Sequence, residues 1–179
     1  ASASCPGLTI IQHGFSHRNH AAPGGKKCEL GDDRDPEALL SELRQGAAIL
    51  STAFGDRFIP ALAPPWNRIG PKIARRLQEA GLSGLSLYGD KAADGQHTHL
   101  DIIDWKGSRG FVGTGGIDLL FAAALRRRRE GSVSPQSPIG LLTHHLVHDD
   151  LSWRFLEAFA GFATKDTALI CRGGTEIFA

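Results

Sequence analysis

The stretch LTIIQHGFSHRNH, Leu8 to His20, joins a short apolar run to a cluster of histidines, and the fold is read outward from it. Leu8, Thr9, Ile10, Ile11 and Gln12 show no polar alternation, which predicts a strand buried on both faces, as in a parallel sheet. Ligands of such sheets gather beyond the carboxyl ends of the strands, where His13 and His17 stand. Four residues apart, the two would share one face of a helical turn, as two imidazoles gripping one metal ion require. His20 lies nearby. With 8 histidines in the chain the spacing alone carries little weight, and its place at a strand end is what raises it. A hydrogen-bonded structural pair is the alternative.

Downstream, a loop rich in glycine, proline and charge, Ala21 to Arg34, precedes a predicted helix capped by Asp35, with Pro36 in its first turn. Leu39, Leu40, Leu43, Ala47 and Leu50 fall on one side of that helix. Phe58 to Leu62 reads as a strand stopped by Pro64 and Pro65. Pro71 opens a second helix carrying Ile73, Ala74, Leu77 and Ala80 and closed by Gly81. Further strands are expected over Leu82 to Leu87, Leu100 to Ile103, Ile139 to Thr143 and Ala168 to Cys171, with helices over Ile117 to Arg129 and over Leu151 to Phe162, the latter capped by Asp150.

Strands alternating with helices imply an α/β fold with a parallel sheet or barrel, read as a single domain over all 179 residues. His13 follows the first strand, Trp66 and Asn67 the second, Asp104 and Trp105 the fourth, and His144 and His145 the fifth, so four loops are expected to line one pocket.

Composition narrows the function classes. The hydrophobic fraction of 41% and charged fraction of 22% suit a globular protein, and no run approaches the roughly 18 to 20 apolar residues of a membrane span. The net charge of +1 gives no field to attract nucleic acid, and the basic block Arg126 to Arg129 reads as a solvated helix end. Cys5, Cys28 and Cys171 are widely spaced without a CxxC, which fits reduced thiols and a reducing, cytoplasmic compartment. The sequence has no methionine, and its opening ASASCPG lacks the charged start and apolar stretch of a signal peptide, so a trimmed N-terminus is expected. Nothing in the sequence fixes an oligomeric state.

In IGLLTHHLVHD, Ile139 to Asp149, His144 and His145 follow an apolar strand directly. Neighbours on an extended chain point in different directions, so one of them enters the pocket. His144 is the candidate general acid, because an imidazole delivers a proton readily near neutral pH; His145 is left a contact or loop role. His148 with Asp149 and Asp150 is expected to start the last helix. Asp101 and Asp104 in LDIIDW would lie on opposite faces of an extended segment, and one of them is expected to hold a neighbouring imidazole in the right tautomer. Trp105 reads as pocket wall or core, and His97 and His99 as lining. The glycines of Lys106 to Gly116, with Ser108, Arg109 and Thr114, are similar to an anion-binding turn, with Arg109 a candidate substrate contact. They match neither a phosphate loop nor a dinucleotide fingerprint, so no nucleotide is assigned.

Taken in order, these segments resemble the polysaccharide deacetylase family, which includes chitin, chitooligosaccharide and peptidoglycan N-deacetylases. HGFSH, His13 to His17, is similar to the family's H-[ST]-x-x-H, with Gly14 where Ser or Thr is usual. LAPPWN, Leu62 to Asn67, is similar to its R-x-P-[YFW] loop, DIIDW, Asp101 to Trp105, to D-x-x-D-W, and LLTHH, Leu141 to His145, to its closing L-x-H. The resemblance implies a distorted (β/α) barrel and a divalent metal, often zinc, held by two histidines and an aspartate.

It also implies hydrolysis of a non-peptide carbon–nitrogen bond in an N-acylated, carbohydrate-like substrate. The metal polarises the acyl carbonyl and activates water, an aspartate takes the proton, and a late histidine protonates the departing amine. Carried over, His13 and His17 are ligands, His144 is the acid with Asp101 its partner, and Pro65 and Trp66 form part of the substrate wall. Asn67 and Arg68 continue that loop. Two departures stand out. Only twelve residues precede His13, none of them acidic, so the family's aspartate motif and the barrel's first units are expected to lie outside this sequence. Ala63 replaces the family arginine; Arg68 is the candidate to reach the same place, with a surface role as the alternative. The competing readings are a non-catalytic binding module on the same barrel and a histidine-metal phosphoesterase holding phosphate near Arg109.

Overall fold

A computed structural model describes residues 8–89, 98–166 and 169–178. The chain divides into two compact units. The described part of the first comprises residues 8–87 and 173–178, and that of the second residues 88–89, 98–166 and 169–172.

In the first unit, helix α1 spans Pro36–Phe54, and Asp35 caps it by accepting hydrogen bonds from the backbone of Glu37 and Ala38. Such a cap contributes about 1 kcal/mol. The leucine period puts Leu39, Leu40 and Leu43 into a core with Leu30, Leu62, Ile73, Leu77 and Leu82. Each of those large side chains gains about 1.5–3 kcal/mol on burial. Strands β1 (Ile10–Gln12), β2 (Phe58–Leu62) and β3 (Gly84–Leu85) form a parallel sheet in the order β1-β2-β3.

Three expectations for this unit need correcting. β1 is not covered on both faces: Ile10 and Ile11 are half-buried, because β2 is its one partner among the described residues, and Gln12 is the buried residue. The predicted second helix is broken. α2 covers Pro71–Ala74, Arg76 leaves helical dihedrals (φ −108°, ψ 9°) as its guanidinium pairs with Glu37 and Glu79, and a tight turn over Leu77–Ala80 ends at Gly81. The apolar period survives the break, burying Ile73, Leu77 and Ala80. β3 is two residues long, although Ser83 and Ser86 on either side still donate to the Pro60 and Leu62 carbonyls.

In the second unit, β4 (Thr98–Asp101) pairs in parallel with β5 (Gly140–Leu142). Helices α3 (Thr114–Arg129) and α4 (Asp150–Ala163) follow these strands. Ile102, Ile103 and Ile117 form the core, with Phe111, Val112, Leu141, Phe155 and Leu156 packed against them. The cap of α4 is Asp149, one residue before the one expected, because its carboxylate reaches the Ser152 backbone while Asp150 is already helical. The basic block does end α3, but Arg128 donates to the Ser137 carbonyl and is not simply solvated.

Residues 169–171 carry no regular structure, where a strand was expected, and Ala168 lies outside the described residues, as do Cys5 and His97. The chain instead closes with a short helix α5, Gly174–Ile177, belonging to the first unit. Cys28 and Cys171 carry free thiols. No helix among the described residues is long and apolar enough to cross a membrane.

Candidate functional site

The candidate residues fall into two groups, one in each unit. In the first, the buried amide of Gln12 sets the course of the chain beyond β1. Its Nε2 donates to the Gly14 carbonyl at 3.0 Å and to the Leu43 carbonyl at 3.2 Å. Gly46 of α1 leaves room for it, since a Cβ there would meet the Gln12 amide. Gly14 then turns at φ 69°, where an added Cβ would collide with Glu29 Oε2 and lie 2.6 Å from Pro65 Cγ. A glycine is therefore required both by dihedral and by space.

The expected helical turn across His13 and His17 does not form. The intervening backbone bends, Gly14 and His17 (φ 54°) both adopt the left-handed conformation, and a buried carboxylate organises the bend. Glu29, fully buried, accepts from the Phe15 backbone at 3.0 Å, the Ser16 backbone at 2.7 Å and Ser16 Oγ at 3.2 Å through Oε1. A carboxylate can satisfy adjacent amides only if the chain curls around it, and that curl excludes the helix.

The bend nevertheless brings the two rings together, with centroids 5.2 Å apart at 43°. Two imidazoles bound tetrahedrally to one ion, with metal–nitrogen bonds of about 2.1 Å, have ring centres roughly 5 Å apart, a separation this pair matches. His13 Nδ1 lies 2.7 Å from the Ala63 carbonyl. A carbonyl only accepts, so the proton sits on Nδ1 and Nε2 presents a lone pair, the tautomer a metal ligand needs. Ala63 thus contributes its backbone oxygen. Among the described residues no group of three or more His, Cys, Asp or Glu could hold a metal. His20 is exposed, and its backbone donates to the Cys28 carbonyl.

The loop after β2 completes this group. Pro65–Asn67 form a tight turn in which Trp66 (φ 54°, ψ 21°) and Asn67 (φ 56°) are both left-handed, and the Trp66 ring lies 4.4 Å from that of His17. Lys27 Nζ stands 5.9 Å from the Trp66 ring centre, a cation–π distance. Pro65 is buried at the Gly14 turn, while Asn67 is exposed. Arg68 donates through Nη1 to the Lys27 carbonyl at 2.9 Å, tying the two loops together. Cys28 Sγ contacts the Arg68 carbonyl at 3.8 Å, and burial pushes its thiol pKa up.

In the second unit Asp101, Trp105 and His144 meet. His144 Nε2 lies 3.3 Å from Asp101 Oδ1 and 3.4 Å from Oδ2. Trp105 Nε1 donates to Asp101 Oδ2 at 3.0 Å, the Ile103 backbone donates to Oδ1 at 3.0 Å, and the Trp105 ring stands edge-on to His144 with centroids 4.9 Å apart. Strand alternation allows one of the two aspartates to hold an imidazole, and that place belongs to Asp101. Asp104 instead accepts from the backbone of Lys106, Gly107 and Ser108, at 3.2, 2.9 and 3.2 Å.

Asp104 thereby changes the role of the glycine-rich loop. Its amides do form an anion seat, but the carboxylate of Asp104 fills it. Arg109 (φ 60°) is exposed beside it, with its backbone donating to the Asp104 carbonyl. Asp149 takes the Phe111 amide at the far end of the loop. His145 is exposed on the tight turn His145–Val147. His99 Nδ1 accepts from the Gly140 amide at 3.4 Å, bracing β4 against β5.

Among the described residues the non-glycine residues with left-handed backbone are His17, Trp66, Asn67 and Arg109. All are candidate site residues by sequence. Backbone strain of about 1–3 kcal/mol per residue clusters where a site over-determines it. Glu29, by contrast, leaves no mark in the sequence. It belongs to no periodic pattern, and its partners are the amides of a loop more than ten positions away.

Comparison with family models, with curated proteins and with solved structures gives no match to this chain.

Proposed function

We propose that this chain is a metal-dependent hydrolase that removes an acetyl or similar acyl group from an amide nitrogen of a carbohydrate-like substrate, as the family its motifs resemble would. The observation that carries the reading is His13, whose Nδ1 is committed to the Ala63 carbonyl at 2.7 Å. Its Nε2 is thereby left as a lone-pair donor beside the His17 ring. A divalent ion held by His13 and His17, zinc being the family's usual choice, would supply Lewis-acid polarisation of the acyl carbonyl and an activated water.

The chain's own residues supply the rest. Trp66 packs on His17, fixing that ring and offering an aromatic wall of the kind sugars stack on. For the second unit, the resemblance makes His144 the proton donor. Its Nε2 faces the Asp101 carboxylate, which orients the ring and leaves Nδ1 as the atom that hands a proton to a departing amine. Trp105 holds Asp101 in turn. The free thiols of Cys28 and Cys171 support a reducing, cytoplasmic setting.

The test is metal analysis of the purified full chain, with acetate release from an N-acetylated chitooligosaccharide followed before and after chelation. The expected result is a stoichiometric divalent ion, activity lost to the chelator and regained with zinc, and no activity in His13→Ala. A chain that binds no divalent ion, or whose acetate release survives His13→Ala, would rule the reading out.

A further inference from the structure

His148 lies outside the Asp101, Trp105 and His144 group, yet it holds the backbone of His144. The His144 amide donates to His148 Nε2 at 3.0 Å. A ring nitrogen that accepts carries no proton, so a neutral His148 has its proton on Nδ1. That Nδ1 is buried and has no hydrogen-bond partner. A buried donor left unsatisfied is unfavourable, so the ring is held in this orientation by its other contacts. Two are visible. Trp153 of α4 stands edge-on to it at 4.7 Å, and the His144 amide closes on its opposite nitrogen.

The result is that His144 is held at four points. Its amide goes to His148, its carbonyl accepts from Val147 at 2.9 Å, its Nε2 faces Asp101, and the Trp105 ring lies edge-on to it. The backbone of His144 (φ −136°, ψ 76°) belongs to neither β5 nor the turn after it, so no regular ladder sets its direction. Histidine at 148 is a poor choice for a mere helix-starting residue, because Asp149 already caps α4.

We propose that His148 is a positioning residue, a neutral imidazole whose unprotonated Nε2 takes the His144 amide and so aims the His144 ring at Asp101. It does not touch substrate. The catalytic part of the inference rests on His144 being the proton donor of the proposed hydrolysis; the geometric part does not.

The test uses the ¹⁵N-labelled full chain and two variants. His148→Gln keeps an acceptor near the place of Nε2, and His148→Leu removes it. In the unmodified chain a scalar coupling across the N–H···N bond, between the His144 amide nitrogen and His148 Nε2, is expected, with the His148 proton on Nδ1. The NOE between the His144 and Trp105 rings should persist in His148→Gln and vanish in His148→Leu. With the chitooligosaccharide as probe, His148→Leu should lower kcat on the order of 10²-fold at unchanged KM, and His148→Gln should recover most of it.

A His148 ring protonated on Nε2, a ring–ring NOE unchanged in His148→Leu, or a His148→Gln variant as impaired as His148→Leu would overturn the proposal. If His148→Leu fails to fold, the coupling and His148→Gln decide it. If the unmodified chain releases no acetate but shows the coupling and the NOE pattern, the hydrolase reading fails and the positioning role stands.

Discussion

Asp101 ends β4 and His144 lies two residues beyond the end of β5, and their side chains meet: Nε2 of the histidine lies 3.3 Å from Oδ1 of the aspartate. The sequence separation is 43 residues, so only the β4–β5 pairing brings them within reach. Trp105, four residues after Asp101, donates to the other carboxylate oxygen. The carboxylate is thus held by Trp105 and the Ile103 amide and offered to His144, an arrangement of the kind that orients an imidazole for proton transfer.

Asp101→Asn keeps the size and an acceptor oxygen but removes the charge that faces the imidazole. If His144 is the acid, kcat for acetate release should fall by about 10²–10⁴-fold, with a stability loss of about 1 kcal/mol, because the Trp105 or the Ile103 donor loses its acceptor. Steady-state kinetics and a thermal melt on the same preparation check both halves. A variant that melts as the unmodified chain does and keeps its kcat removes Asp101 and His144 from the chemistry.

If His13 and His17 hold a metal as proposed, Glu29 joins stability to metal affinity. Removing it in Glu29→Ala strips partners from the Phe15 and Ser16 amides and leaves a cavity, which should cost about 2–4 kcal/mol in urea unfolding. Glu29→Gln retains an acceptor oxygen for the same amides and should cost clearly less. Metal affinity should follow the same ranking, because the bend that Glu29 organises is what brings the His13 and His17 rings together. Equal stability of Glu29→Ala and the unmodified chain would show that the bend does not need the carboxylate.

Gly14 gives the opposite kind of test, since the deacetylase motif that HGFSH resembles has Ser or Thr at its second position. Gly14→Ser would match that motif, yet it should destabilise the chain by about 2–4 kcal/mol. The residue sits at φ 69°, and its Cβ would collide with Glu29 Oε2 and Pro65. Pairing Gly14→Ser with Glu29→Ala should recover part of the loss, a non-additivity that a double-mutant cycle reads directly. A fully stable Gly14→Ser chain would mean the loop can leave its left-handed turn and open space beside Glu29 and Pro65.

The residues that can be read from sequence are those whose signal is local. Asp35 caps α1 and Leu39, Leu40 and Leu43 bury because cap and period are properties of a short window. His13, His17, Trp66 and His144 stand out because unusual chemistry comes directly after apolar strands. What escapes is non-local or conformational. No pattern announces that Glu29 will reach back to Phe15 and Ser16, or that Asp104 will fill its own loop's anion seat. Helical spacing predicts that His13 and His17 meet on one turn. They meet instead through left-handed residues whose conformation is imposed by Glu29 and Pro65, neither of which a four-residue motif contains. The cap of α4 falls one residue from its expected place because Asp149 and Asp150 are chemically equivalent in sequence, and only the approach of the Ser152 and Phe111 amides to Asp149 distinguishes them.

Asp149 yields the pH prediction. Its carboxylate accepts the Phe111 amide, the Ser152 amide and the Ser152 hydroxyl, and these bonds lower its pKa from 3.8 to about 2. A depressed folded-state pKa means the contribution is present above the unfolded value and is lost as the pH falls from 3.8 through about 2. Asp149→Asn keeps a good capping side chain but cannot ionise, so it separates the charge from the cap. The urea midpoint of the unmodified chain should fall more steeply than that of Asp149→Asn between about pH 4 and pH 2, and the two should converge at the acid end. Hydrogen exchange at the Phe111 amide should accelerate over the same interval, because that amide loses its charged acceptor when Asp149 protonates. Parallel acid limbs for the two chains would show that the carboxylate's charge contributes nothing to holding the glycine-rich loop against α4.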